Sequence, residues 1–150
     1  MSLMLLDSGS LWYRAYYGMP DTLLAPDGTP VNAIRGYLDM SARLISMYRP
    51  KRLVACLDGD WRPTWRVELF PDYKANRLEE DGEGEEEPDL LTPQIPILLD
   101  VLDAFGIPIV GADDYEADDV MATYAVKEPG PIRIVTGDRD LFQLVKPDPD

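Results

Sequence analysis

Leu3-Met4-Leu5-Leu6-Asp7-Ser8-Gly9-Ser10 is the stretch on which the fold turns. The apolar run reads as a buried strand, closed by an aspartate. Ser8-Gly9-Ser10 is a turn that opens a helix over residues 11–17. The same order recurs along the chain. Leu53 to Leu57 reads as a second strand ending at Asp58, and Ile107 to Val110 as a third. Ile132 to Val135 is a fourth, followed by Thr136-Gly137-Asp138. Helices lie between the strands. Val31, Ile34, Leu38, Ala42 and Ile45 recur at helical spacing, and Pro50 stops that helix. Thr92 is placed to cap a helix with Pro93 at its first position, running to Phe105 and ended by Gly106. Glu116 to Val126 is a further helix. Strands alternating with helices predict an α/β fold, a central and mainly parallel sheet flanked by helices.

The 150 residues suit one domain with one sizeable core. A composition of 45% hydrophobic and 28% charged residues is ordinary for a globular protein. No apolar run approaches the roughly 20 residues that span a bilayer, so no membrane association is expected. The first residues lack a basic region followed by an apolar stretch, so no secretory leader is expected. Cys56 is the single cysteine, which rules out an intrachain disulfide. It sits in an apolar run, where a free thiol acts as a small buried hydrophobe. A cytoplasmic location follows, and no protein partner is expected.

Fourteen basic residues face 28 acidic ones, a net charge of −14. Eight of the acids fall between Glu79 and Asp89, a Gly-containing stretch that reads as a mobile loop. Setting aside those eight and seven carboxylates named below leaves 13 acidic against 14 basic residues. Ten of the basic residues precede position 78. The average charge is therefore a poor guide to the field at a binding site.

Three of the strands are followed at their carboxyl ends by Asp7, Asp58 and Asp138, the edge at which open α/β sheets bind ligands. Asp140 follows two residues after Asp138. Glu116-Ala117-Asp118-Asp119 follows the third strand and falls in a first helical turn, where the helix dipole favours acids. Four junctions thus point seven carboxylates at one region. Such a cluster is costly without a counter-charge. All-oxygen ligation selects Mg²⁺ or Mn²⁺, and two such ions can activate water and stabilise a leaving oxygen in phosphoryl transfer. With no histidine and one cysteine, neither an imidazole-bound metal nor a His-based triad can be built. The competing account of each aspartate is a cap or turn residue. Asp113 and Asp114 read as plain loop acids, and Asp60 as either.

These residues carry a recognisable pattern. The chain resembles the 5′ nuclease superfamily: the 5′–3′ exonuclease domain of bacterial DNA polymerase I, its free-standing relatives and the flap endonucleases, with a PIN-like α/β core. The resemblance rests on five stretches in order. They are Leu5-Leu6-Asp7-Ser8-Gly9-Ser10 with Tyr13-Arg14-Ala15-Tyr16; Val54-Ala55-Cys56-Leu57-Asp58-Gly59; Trp65-Arg66 with Tyr73-Lys74-Ala75-Asn76-Arg77; Glu116-Ala117-Asp118-Asp119; and Thr136-Gly137-Asp138-Arg139-Asp140. It implies a metal-dependent nuclease acting on DNA with a free 5′ end or 5′ flap, an RNA–DNA hybrid being a further substrate. It also implies two metal ions. Asp7, Asp58, Glu116 and Asp118 would hold the first, with Asp119 close by. Asp138 and Asp140 would hold the second, bridged by Asp118. Lys74 and Arg77 would be the catalytic basic pair on the scissile phosphate. Arg14, Arg66 and Tyr73 would join them in binding nucleic acid, core-edge packing being the competing account of Arg14 and Arg66. Trp61, Trp65, Phe70 and Tyr73 are otherwise packing residues, one of them suited to stack on a frayed end.

Two departures from the family pattern stand out. A helix–hairpin–helix element and a Gly-Asp-x-Ser-Asp-like segment lie beyond Asp140 in the family and are not found here. Residues 1–150 are therefore expected to be the N-terminal part of a longer catalytic domain. The acidic 79–89 segment occupies the arch region, where a basic surface would suit DNA better. Two alternatives stay open: a module that binds DNA ends or junctions without cutting, and a PIN-type ribonuclease.

Overall fold

A computed structural model describes residues 2–78 and 87–147. Four parallel strands form one sheet in the order β3-β2-β1-β4: β1 (Leu3–Asp7), β2 (Arg52–Cys56), β3 (Ile109–Val110) and β4 (Ile132–Val135). The central β1 is buried along its whole length, as expected of a parallel strand covered on both faces. Its residues divide by alternation. Met4 and Leu6 join one core with Ala55 of β2, and Leu3 and Leu5 join another with Val54 and Cys56. Helices α1 (Ser8–Gly18), α2 (Asn32–Tyr48) and α4 (Gln94–Ala104) supply the first core, through Leu11, Ala15, Ile34, Tyr37, Leu98 and Leu102. Helix α5 (Ala117–Lys127) supplies the second through Ala117, Val120 and Met121, joined by Leu141 of the 3₁₀ helix Arg139–Leu144. Burial raises the Cys56 thiol to about 12, which leaves it inert.

The expected elements are present with shifted ends. β3 is shorter than expected. The Ile107 N–H turns back to the Leu102 carbonyl at 3.0 Å, so pairing with β2 starts only at Ile109. Thr92 does not cap α4. Its hydroxyl donates to Glu87 at 2.8 Å, and the helix begins at Gln94. Helix α3 (Thr64–Leu69) was not expected; at six residues it is too short to show a period. Its first N–H donates to Asp114, fifty residues distant in sequence, at 2.6 Å. Of the acidic 79–89 stretch, residues 79–86 lie outside those described.

Two close approaches set the geometry around the sheet. At Gly36 an added Cβ would lie 2.7 Å from the Ala15 Cβ, so the glycine lets α1 and α2 cross tightly. At Gly59 it would collide with the Ala112 carbonyl, which fixes the loop after β2 against the loop after β3. The second contact brings Asp58 beside the start of α5.

A buried polar chain joins three helices. The Gln94 Oε1 accepts from the Ala33 and Ile34 N–H groups at 2.8 and 3.3 Å, satisfying donors that Val31 leaves uncapped at the start of α2. Gln94 Nε2 donates to Asn32 Oδ1 at 2.8 Å and to the Leu90 carbonyl at 2.9 Å. Asn32 Nδ2 in turn donates to the Tyr16 carbonyl at 3.0 Å. Gln94→Leu keeps the bulk and strands all four partners. It should lower stability by about 2–4 kcal/mol, read as a reduced urea midpoint at unchanged m-value.

Candidate metal centre

Parallel strands all end on the same edge, so the residues that follow β1, β2 and β4 share one neighbourhood with the start of α5. Asp7, the last residue of β1, is also the N-cap of α1 and is 7% exposed. Its Oδ2 accepts from the Thr136 hydroxyl at 2.7 Å. That hydroxyl also accepts from the Asp138 N–H at 3.0 Å, so Thr136 couples the ends of β1 and β4. Gly137 N–H donates to Ser10 Oγ at 2.8 Å and closes the same edge. Asp58 accepts from the Ala117 N–H at 2.7 Å, which ties the end of β2 to the first turn of α5. Asp58 also opens onto a cleft of about 380 Å³ lined by Gly9, Trp12, Trp61, Ile95 and Leu99.

Five acids feel one another across this edge. Desolvation raises the Asp7 carboxyl, helped by the charges of Asp58 and Asp138. Asp58 reaches solvent on one side, yet the surrounding protein still raises it, aided by Glu116 and Asp119. Asp118 is shifted most, to about 7, by desolvation and then by the charges of Asp7, Asp138, Glu116 and Asp58. No hydrogen bond from a described residue reaches its carboxylate.

The remaining acids are engaged by protein groups. Asp119 is held beside the five by Arg66. Its two oxygens take Arg66 Nη1 at 2.7 Å and Nη2 at 2.6 Å, and Oδ2 also accepts the Glu116 N–H at 2.9 Å. Burial works to raise Asp119, but these hydrogen bonds and the Arg66 charge hold it below the ordinary carboxylate value. Asp140 lies exposed on the 3₁₀ helix, and its backbone N–H donates to Asp138 Oδ1 at 2.9 Å. Asp60 is a turn residue accepting the Arg62 N–H at 2.9 Å, and Asp114 serves α3.

The basic residues divide between the interior and the surface. Arg66 is engaged inside the protein, on Asp119 and on Glu116 Oε2 at 2.7 Å, with its guanidinium 4.3 Å from the Trp65 ring centre. Glu116, 5% exposed, additionally accepts from the Tyr73 hydroxyl at 2.7 Å and from Lys74 Nζ. Tyr73 is thus held by its hydroxyl instead of being presented for stacking, and Trp65 donates to the Asp114 carbonyl at 3.0 Å. Arg77, on the 3₁₀ turn Ala75–Arg77, and Arg14, on α1, are exposed, as is Phe70 at 59%. Among the described residues no three carboxylates stand as a closed ligand set. Each of Asp7, Asp58 and Glu116 is turned toward protein donors instead. Thr136 and the Tyr73 hydroxyl were missed in the sequence. Only the position of Thr136 beside Asp138 signalled the first, and nothing local signalled the second.

The 5′-3′ exonuclease, N-terminal resolvase-like domain, matches residues 2–149 as a family model. The chain belongs to that family. It is 59% identical over 146 residues to a 5′-3′ exonuclease of Streptomyces coelicolor, covering 95% of this chain and 48% of the relative. A Mycobacterium tuberculosis 5′-3′ exonuclease is 50% identical over 153 residues, with 98% of this chain and 48% of the relative covered. The chain therefore spans about half the length of these relatives. The structure of T5 5′-exonuclease with bound zinc ions superposes with a TM-score of 0.69 at 25% identity, covering 97% of this chain and 52% of that one. This agrees with the α/β fold expected of the family. Among the described residues no helix is long and apolar enough to cross a membrane.

The raised acids carry a pH signature. A carboxyl whose folded value lies above its unfolded value stabilises the fold when protonated, and that stability is lost as pH rises through the folded value. Asp118 should therefore make the chelator-treated protein less stable as pH rises from about 4 to about 7. Asp118→Asn should flatten that stretch of the melting-temperature profile and raise the melting temperature at pH 8.

Proposed function

We propose that this chain is the N-terminal, metal-binding part of a 5′–3′ exonuclease domain that hydrolyses phosphodiester bonds of DNA from a free 5′ end or 5′ flap. Mg²⁺ or Mn²⁺ is the divalent ion of this reading, and the cytoplasm its location. The observation that supports it most is Asp118, raised to about 7 amid four other acids with no hydrogen-bond donor among the described residues. A carboxylate in that position suits a cation. The donor set is all oxygen, which fits hard ions. The S. coelicolor and M. tuberculosis relatives are 5′-3′ exonucleases, and a further T5 structure is a flap endonuclease complex with DNA and metal ions.

Asp7, Asp58, Glu116 and Asp118 would hold the first ion, and Asp138 with Asp140 the second. Such ions lower the pKa of an attacking water and neutralise the leaving oxyanion. Asp119 is removed from the ligand set by its engagement with Arg66 and positions Arg66 and Glu116 instead. The chain's own contribution is to aim charge. Thr136 orients Asp7, and the Ala117 N–H orients Asp58. Arg14, Arg77 and Lys74 are the cations that would meet phosphate in this reading; Arg14 and Arg77 are exposed, and Lys74 is bonded to Glu116. An RNA–DNA hybrid satisfies the same backbone chemistry.

The test is cleavage of a 5′-labelled flap oligonucleotide with Mg²⁺. Asp58→Asn keeps an oxygen for the Ala117 N–H and removes only the charge, so the fold should hold while cleavage drops at least about 100-fold. Chelation should abolish cutting altogether. Wild-type cleavage by the variant would remove Asp58 from the ligand set. Flap binding by the intact protein without turnover in Mg²⁺ or Mn²⁺ would favour a DNA end-binding module.

A further inference from the structure

Glu116 has two incompatible demands on it. As a ligand it must offer oxygen to a divalent cation. In the structure its carboxylate is already caged, with Oε2 accepting from Arg66 and Tyr73 and Oε1 from Lys74. A divalent ion and an ammonium cannot share Oε1, because two cations at contact distance repel strongly in a site this buried. One member of the cage must yield.

The geometry identifies which. Arg66 makes three N–H bonds to two carboxylates, is bidentate on Asp119, and stacks over Trp65. A planar fork so fixed has nowhere else to go. Tyr73 is neutral and sits on the other oxygen, so it does not compete with an ion at Oε1. Lys74 is a single point charge on a flexible stem. Its other bond is to the Trp61 carbonyl at 2.8 Å, and its side chain is only 18% exposed. Its backbone is left-handed, with φ 51° and ψ 20°, a conformation disfavoured for a residue bearing a Cβ. Its charge also acts on Asp58, lowering that carboxyl against the burial that raises it. Lys74 thus serves as counter-ion to two of the proposed first-ion ligands at once.

We propose that Lys74 is an exchangeable counter-ion. It neutralises Glu116 and Asp58 while no divalent cation is bound, leaves Glu116 when such a cation takes its place, and only then turns its ammonium toward a phosphate. This rests on the metal-ion reading above. It adds an order of events: the ion must bind before Lys74 is available to DNA. Arg66 and Asp119 remain in place throughout as the positioning pair that holds Glu116.

The test is amine labelling of the intact protein with acetic anhydride, read by peptide mass spectrometry with and without Mn²⁺. Lys51 and Lys127, both exposed and remote from the acids, are internal references. Labelling of Lys74 should rise several-fold on saturation with Mn²⁺ while the references stay level. In calorimetric titration, Lys74→Met should bind Mn²⁺ several-fold more tightly than the wild type, because a competing cation has been removed. Mn²⁺ that binds with unchanged or reduced Lys74 labelling overturns the exchange and leaves the metal reading standing. Unchanged or weaker Mn²⁺ affinity in Lys74→Met overturns it as well. Absence of any Mn²⁺ binding by the wild type overturns both.

Discussion

Repulsion among carboxylates is the constraint around which this fold is arranged. A parallel sheet delivers the ends of its strands to one edge, and here those ends carry Asp7, Asp58 and Asp138, with Glu116 and Asp118 beside them. Left alone, five like charges at that spacing would push the loops apart. The protein offsets them in two ways. Backbone N–H groups and hydroxyls hold Asp7 and Asp58, and the segment 61–77 folds back to place Arg66, Tyr73 and Lys74 on Glu116. Asp118 alone of the five receives no such compensation from the described residues, and its carboxyl rises accordingly.

The arrangement separates support from reach. Arg66 and Asp119 form a fixed clamp at the base of α5, bonded to each other through two short contacts. Thr136 plays a similar role between β1 and β4. Of the clustered acids, Asp58 lines the open cleft, while Asp7 and Glu116 are buried behind it. Side chains fixed by their own hydrogen bonds are what a site needs if its charge state is to change without disturbing the sheet behind it.

Much of this was legible in the sequence, because it rests on local patterns. The apolar runs at 3–6, 53–57 and 132–135 are strands to within one residue, and the helices between them follow their periods. The aspartates after the strands converge because parallel topology leaves them no other place. What was not legible depends on partners far apart in sequence. Helix α3 is capped by Asp114, and Asp119 belongs to Arg66, fifty-three residues away. No period or spacing signals which of two adjacent acids, Asp118 or Asp119, faces the cluster. The same holds for Arg66 and Tyr73, for which the resemblance implied nucleic-acid contacts and which here hold Glu116. Side-chain direction is decided by tertiary packing, which one chain of letters does not display.

The Gln94 chain has a bearing on how the molecule assembles. The first donors of α2 are satisfied only by a side chain sixty residues downstream, so the start of that helix frays until α4 docks. Closing so long a span costs chain entropy before any bond is gained. The crossing of α1 and α2 at Gly36 needs only near neighbours and can form early. Docking of α4 completes the face of the sheet on which Met4 and Leu6 lie. The acidic stretch at 79–89 lies within that span, and lengthening or shortening it would alter the speed of closure far more than the stability of the finished fold.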